Sequence, residues 1–208
     1  MKQKLYLFLL VFLCQFLSHA QTGKSLNFDG INDGVILGTS LNSQLDPINN
    51  FTVEIMVRPE SNSGTRYIVG NYRTASPEEM QFLVRQNTDR YEFWVNDETG
   101  FKLVSSPANT LQLNTWQHVT GVWDGSEIRI FIDGVLQNTT TGVTGASFFF
   151  TNNPVHIGQN ENNLAFDGDL DEIRIWSTVR SQATIQAEMN TELVGNEPGL
   201  LRSYNFNQ

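Results

Sequence analysis

The sequence alternates. FTVEIMV from Phe51, MQFLVR from Met80, YEFWVN from Tyr91, FKLV from Phe101, WQHVTGVW from Trp116, EIRIFI from Glu127, VHIG from Val155, LDEIRIW from Leu170 and LLRSYNF from Leu200 place apolar and polar side chains in turn, with Gly, Asn and Asp between the runs. Period two marks a strand with one buried face, because successive Cβ atoms point to opposite sides of a sheet. Asp133-Gly134 stands between EIRIFI and VLQ; a two-residue hairpin prefers that dipeptide, since both central residues need positive φ. Asp124-Gly125 does the same one strand earlier. A single stretch has helical spacing: Ser181 can cap it, and Ile185, Met189 and Leu193 recur four apart. Many short strands, one short helix and no alternation of the two predict an all-β fold, a two-sheet antiparallel jelly-roll sandwich with one short helix.

The first residues, MKQKLYLFLLVFLCQFLSHAQ, carry Lys2 and Lys4, an apolar run from Leu5 to Leu17, and small residues at Ser18 and Ala20. That is the pattern of an export signal, residues 1–20, cut near Ala20. The run is shorter than the roughly 20 residues a membrane helix needs, and no later stretch approaches that length. The expectation is one domain over 21–208, secreted or on the cell surface, without membrane insertion. Cys14 is the only cysteine and lies inside the leader. Disulfides, thiolate metal sites and cysteine catalysis are therefore excluded for the remainder. A formal net charge of -9 repels phosphate backbones and argues against nucleic-acid binding.

LNFDGIND, FTVEIMVRP, WQHVTGVWDGSEIRIFIDGVL, VHIG, FDGDLDEIRIWSTVRSQATI and GLLRSYNF occur in the order found in laminin-G-like jelly-roll domains of the concanavalin A-like lectin and glucanase superfamily. The chain resembles that family from about Ser25 to Asn207. It departs from the pattern at Met56, where such domains often carry Trp, and at Gly34, where an aromatic often follows Asp33. The resemblance implies two curved antiparallel sheets packed face to face. It also implies carbohydrate or protein ligands bound with the help of calcium, although one architecture hosts many functions.

FDGDLDEIRIW holds four carboxylates, Asp167, Asp169, Asp171 and Glu172, and three readings of them stand. Calcium takes six to eight oxygens from carboxylates and turn carbonyls. If the first and last strands are neighbours, Asp29, Gly30, Asp169 and Asp171 make a structural calcium site, the only cofactor expected. A retaining glycosidase needs two carboxyls about 5 to 5.5 Å apart, and alternate aspartates on a strand approach that. The Glu-x-Asp-x-Glu run of the superfamily's glucanases is absent, however, so no enzyme activity is expected. In the third reading the aspartates form turns and ion pairs.

His118 and His156 each sit in a framework strand, and no zinc, phosphate-loop or nucleophile-elbow pattern accompanies them. Ligand contact is better argued from parity. In YEFWVN, Tyr91, Phe93 and Val95 share one face, Glu92, Trp94 and Asn96 the other, and Arg85 with Gln81 opposes Met80, Phe82 and Val84 in MQFLVR. An aromatic plate beside amide and charged groups suits a sugar, so Trp94, Glu92, Asn96 and Arg85 are the candidate glycan-binding residues. Phe148-Phe149-Phe150 cannot all face one core, so part of it is expected to lie under a loop. The reading is a secreted or surface module that binds an extracellular carbohydrate or glycoprotein. The alternatives are a glycan-cleaving enzyme and a purely structural adhesion module of a larger surface protein.

Overall fold

The structure is a computed structural model that describes residues 23–73, 79–145, 148–149, 151–160 and 164–207. The expected leader and Phe150 fall outside the described residues. In chain order the elements are β1 (Leu26–Asp29), β2 (Val35–Gly38), α1 (Asn42–Leu45), β3 (Phe51–Pro59), β4 (Thr65–Gly70), β5 (Phe82–Asn87), β6 (Arg90–Asn96) and β7 (Phe101–Ser105). They continue with β8 (Gln117–Trp123), β9 (Glu127–Ile132), β10 (Val135–Thr141), β11 (Val155–Ile157), β12 (Asp167–Trp176), α2 (Gln182–Glu188) and β13 (Leu200–Tyr204).

These strands form two antiparallel sheets. The first runs β1-β12-β3-β8-β9-β10, with β13 also paired to β12, and the second runs β2-β11-β4-β5-β6-β7. β1 lies against residues 167–170 of β12 and β13 against residues 173–176, so the first and last strands sit in line beside one central strand. The jelly-roll expectation holds. The inward positions are those that parity assigned: Val53, Ile55 and Val57 from β3, Phe82 and Val84 from β5, Tyr91, Phe93 and Val95 from β6, all fully buried in one core. Gly121 on β8 lets the sheets approach, because a Cβ there would sit 2.5 Å from the Phe93 ring. Overpacking of that kind costs about 1–3 kcal/mol. Phe148 is buried between Trp123 and Phe51, with ring centroids at 4.7 and 5.2 Å, while Phe149 is only partly buried.

Strict alternation fails in β12. Leu170, Ile173 and Ile175 all enter the core, yet Leu170 and Ile173 are three apart. The strand resolves this with a bulge at Glu172, which takes φ of 47° while the register with β3 shifts between Asp171 and Arg174. As a result Asp169, Asp171, Arg174 and Trp176 all face outward from the core, opposite Arg58, Met56, Glu54 and Thr52.

Three local expectations need correction. The helix capped by Ser181 ends at Glu188 with Met189 as its C-cap and does not continue to Leu193, and a second helix, the single turn α1, precedes β3. Met80 and Gln81 lie ahead of β5 and do not follow its alternation. Met80 joins Tyr67 and Leu83 on the outer side of the second sheet. Gln81 is buried, its amide donating to the Asn42 carbonyl at 3.1 Å and accepting from the Asn71 amide at 2.9 Å.

Candidate functional site

The two outer faces differ in cover. Over the first sheet, Ser181 caps α2 by accepting from the Thr184 N–H at 3.1 Å. The helix then buries Ile185 against Val122 and Phe131. Beneath it lies a set of buried polar and charged side chains that the framework strands supply at outward positions: Glu54 from β3, His118 from β8 and Arg174 from β12. His118 Nε2 is 3.2 Å from one Glu54 oxygen and Arg180 Nε 3.5 Å from the other. Arg174 pairs with Glu172 at 3.0 Å and donates to the Glu188 carbonyl at 2.9 Å, tying β12 to the end of the helix. Arg180 lies over the Trp176 ring, 3.9 Å from its centroid. Burial pushes the Glu54 carboxyl up, but the His118 contact with the Arg174 and Arg180 charges outweighs it and holds the group below its ordinary value. Where α2 packs, this face is closed.

The second sheet keeps a partly open outer face. Register across its strands places Tyr67, Arg85, Glu92 and Ser105 in one transverse row and Gly70, Leu83, Trp94 and Leu103 in the next. Three of the four candidate glycan residues come together there. Arg85 lies over the Trp94 ring with its guanidinium carbon 4.6 Å from the centroid. Glu92 accepts from Arg85 Nε at 2.7 Å, Asn87 at 2.8 Å and the Trp94 indole N–H at 3.0 Å. Burial raises the Glu92 carboxyl, and the donors from Asn87, Arg85 and Trp94 more than offset it, so the group is held below its ordinary value. The Glu92 side chain is 5% exposed against 22% for Arg85. Glu92 thus holds the pair in place and offers little to a ligand, whereas Arg85 and half-buried Trp94 form the presented surface. The Trp94 ring packs on the Tyr67, Met80 and Leu83 cluster with Tyr72 and Leu164 beside it. Asn96 departs from expectation: it is buried, its carbonyl accepting from the Phe149 N–H at 2.9 Å, and it is not part of that surface.

The oxygens expected for calcium do not converge. Asp29 pairs in register with Asp167, which leaves Asp171 four residues further along β12, about 13 Å away at about 3.3 Å per residue. Asp29 accepts from the Ile31 and Asn32 N–H groups of its own turn. Gly30 carries φ of 73° and packs on the Asp167 side chain, and its carbonyl accepts from Arg66. Asp169 accepts from Arg58 Nε at 2.6 Å and from Asn27 at 3.0 Å. Asp171 is fully buried and accepts from the Glu172 and Phe206 N–H groups. Three of the four residues are engaged by cationic donors or belong to a turn, and among the described residues no group of three or more His, Asp or Glu is arranged for a metal ion. Asp29, Gly30, Asp169 and Asp171 do not fit a calcium ion as one set.

A laminin G sequence profile matches residues 29–186, most of the chain, a segment that holds the strands from β2 to β12. The chain belongs to the concanavalin A-like lectin/glucanases superfamily. No curated protein matches it. Among solved structures, this superfamily member is similar to a candidate carbohydrate binding protein from Bacteroides ovatus, with TM-score 0.70, 18% identity, and 89% of this chain aligned to 52% of that one. The chain thus spans about half the length of that protein. A sialidase carbohydrate-binding module of Ruminococcus gnavus, bound to α2,3 sialyllactose, aligns with TM-score 0.62 and 14% identity over 80% of this chain and 96% of the module. Domain 4 of an extracellular arabinanase from Geobacillus stearothermophilus, in complex with arabinotriose, gives 0.60 and 19% over 81% and 77%. At these identities the likeness is one of fold. Among the described residues no helix is long and apolar enough to cross a membrane.

Sequence reasoning missed the buried charge network of this superfamily member. Its signal was present: Glu54, His118 and Arg174 all occupy polar positions of otherwise apolar framework strands, with charges of both signs, which is what a covered face requires.

Proposed function

We propose that this chain is a carbohydrate-binding jelly-roll module acting outside the cytoplasm, with its ligand held on the outer face of the second sheet. The observation that carries the reading is the Arg85–Trp94 stack, fixed through Glu92 and left at the surface, while the matching arginine–tryptophan pair on the opposite face lies beside α2 with its tryptophan buried. A cation over an indole, locked by a carboxylate, presents a flat ring edge and a ready set of donors without losing side-chain entropy on binding. The carbohydrate ligands named for the arabinanase domain and the sialidase module support a sugar as the ligand class, and the apolar leader supports export.

The acidic segment supports binding rather than bond cleavage. A glycosidase needs one carboxyl that carries a proton and a second that is free to attack or to activate water. Asp169 is held by Arg58, Glu172 by Arg174, and Asp171 by two backbone N–H groups. The test is a glycan array with wild type, Trp94→Ala and Arg85→Ala, each checked for fold by thermal melting and run with chelator and with millimolar calcium. Loss of retention in both variants with the fold intact supports the reading. Full retention in both sinks it, as does reducing-sugar release from a polysaccharide panel. A requirement for calcium would place a cation with the ligand, because the four-residue set considered above does not assemble.

A further inference from the structure

At the far end of the same outer face, β2 and β11 border a cleft of about 220 Å³ lined by Asn32, Gly34, Ile36, His156, Gln159 and Asn160. Ile36 and His156 are register partners, so they stand side by side on adjacent strands. His156 also pairs with Gly70, Gly70 with Leu83 and Leu83 with Trp94. The cleft and the Arg85–Trp94 stack are thus about three strand spacings, or about 14 Å, apart. Between them lies the Tyr67, Met80 and Leu83 cluster, which is buried. The two places are therefore separated on one face.

We infer that this cleft is a second binding site, specific for a single neutral sugar unit; the inference rests on the carbohydrate reading above. The lining contains no carboxylate, Lys or Arg. An ionic group entering it would lose water without gaining a counter-charge, and the chain's net charge of -9 adds repulsion against anions. What the lining does contain are three amides and an imidazole. Each can donate and accept at neighbouring atoms, which matches hydroxyl groups that also do both. Ile36 is 67% exposed at the rim, an apolar surface placed where the C–H side of a pyranose ring would lie while its hydroxyls face the amides.

Gly34 keeps the cleft open. Its backbone lies in the ordinary region, so the residue is not required by φ. A Cβ there would come within 3.0 Å of the Gln159 Cβ and 3.5 Å of its side-chain oxygen. An aromatic at this position therefore has to displace Gln159 or fill the space, which makes Gly34→Phe a blocking variant that leaves the core untouched.

The experiment is a proton NMR titration of the purified protein with methyl glycosides of glucose, galactose, mannose and xylose, following the ring signals of His156 at the cleft and His118 under α2. A site built from one sugar ring binds in the millimolar range. The expected result is a saturable shift of the His156 signals by at least one neutral glycoside, with His118 unmoved. Gly34→Phe and Gln159→Ala should each weaken that binding at least tenfold, while Trp94→Ala leaves it unchanged. If no glycoside moves His156, or if the shifts survive Gly34→Phe, the cleft assignment fails. Array binding that is lost in Trp94→Ala would still stand in that case, so the functional reading survives the loss of this one. If sialyllactose, an anionic probe, shifts His156 more tightly than every neutral glycoside, the specificity for neutral sugars is overturned.

Discussion

The two outer faces of this sandwich use the same side-chain vocabulary to opposite ends. Each stacks an arginine on a tryptophan and anchors the arrangement with a glutamate: Arg180, Trp176 and Glu54 over the first sheet, Arg85, Trp94 and Glu92 over the second. Over the first sheet the set lies beneath α2, and Glu54, Arg174 and Trp176 are almost wholly excluded from solvent. Over the second sheet the stack reaches the surface. What separates the two sets here is the presence of a lid, not the identity of the residues. A covered charge must be satisfied internally, whereas one at the rim retains capacity for a ligand.

The comparison breaks most visibly if the covered charges are removed. Arg174→Met strips Glu172 of its partner and the helix end of its donor, leaving the Glu172 carboxylate without a cation. Unfolding in urea should show a loss of about 3–5 kcal/mol, with glycan retention by the folded fraction unchanged. A loss below about 1 kcal/mol would mean that the closed face relaxes and that its charges are ordinary surface pairs.

Acid sharpens the comparison next. Glu54 and Glu92 both have folded-state values below the ordinary 4.5, because their donors outweigh burial. A depressed carboxyl contributes stability that is fully present above the unfolded value and is lost as pH falls through the folded one. Urea midpoints should therefore hold steady from neutral pH down to about 4.5 and decline below it. Arg85→Ala removes one of the donors to Glu92, so its decline should be shallower than that of wild type. An unchanged slope would show that Glu92 titrates the same way in the folded and unfolded chain.

A smaller free-energy effect, but a direct one on binding, belongs to the open face. Trp94→Ala removes the ring under Arg85 and should lower glycan retention at least tenfold, about 1.4 kcal/mol. The melting temperature should fall by less than in Arg174→Met, because the ring is only half-buried over the Tyr67, Met80 and Leu83 cluster. If retention falls only in proportion to a loss of folded protein, Trp94 supports structure and not recognition.

Alternation made both sheets legible, and with them the outward placement of Arg85, Glu92 and Trp94, because parity is a property of the strand alone. It did not reveal how far apart residues of one parity lie along a strand. Asp29 and Asp171 share a face and a neighbourhood in sequence logic, yet the register sets Asp29 against Asp167. Parity also fails where an element ends or slips. Gln81 lies ahead of β5 and turns inward to Asn42 and Asn71, and the Glu172 bulge is visible only once Leu170 and Ile173 are both required in the core. Asn96 kept its parity and lost its exposure to the chain near Phe149, a contact between segments about fifty residues apart that no local pattern encodes.

The smallest effect tests the lid itself. Ser181 accepts from the Thr184 N–H and opens α2, whose main attachment is Ile185 against Val122 and Phe131. An N-cap serine replaced by alanine typically costs about 1 kcal/mol, and seven residues of helix cannot persist on propensity alone. If α2 is what makes the first face structural, Ser181→Ala should do more than lower global stability by that amount. It should also increase local opening, read as faster amide exchange at Ile185 and at Thr120 and Val122 of β8, with exchange at Glu92 and Trp94 unaltered. Equal acceleration on both sheets would mean that the helix contributes only to global stability. The contrast between a lidded face and an open one would then lose its physical basis.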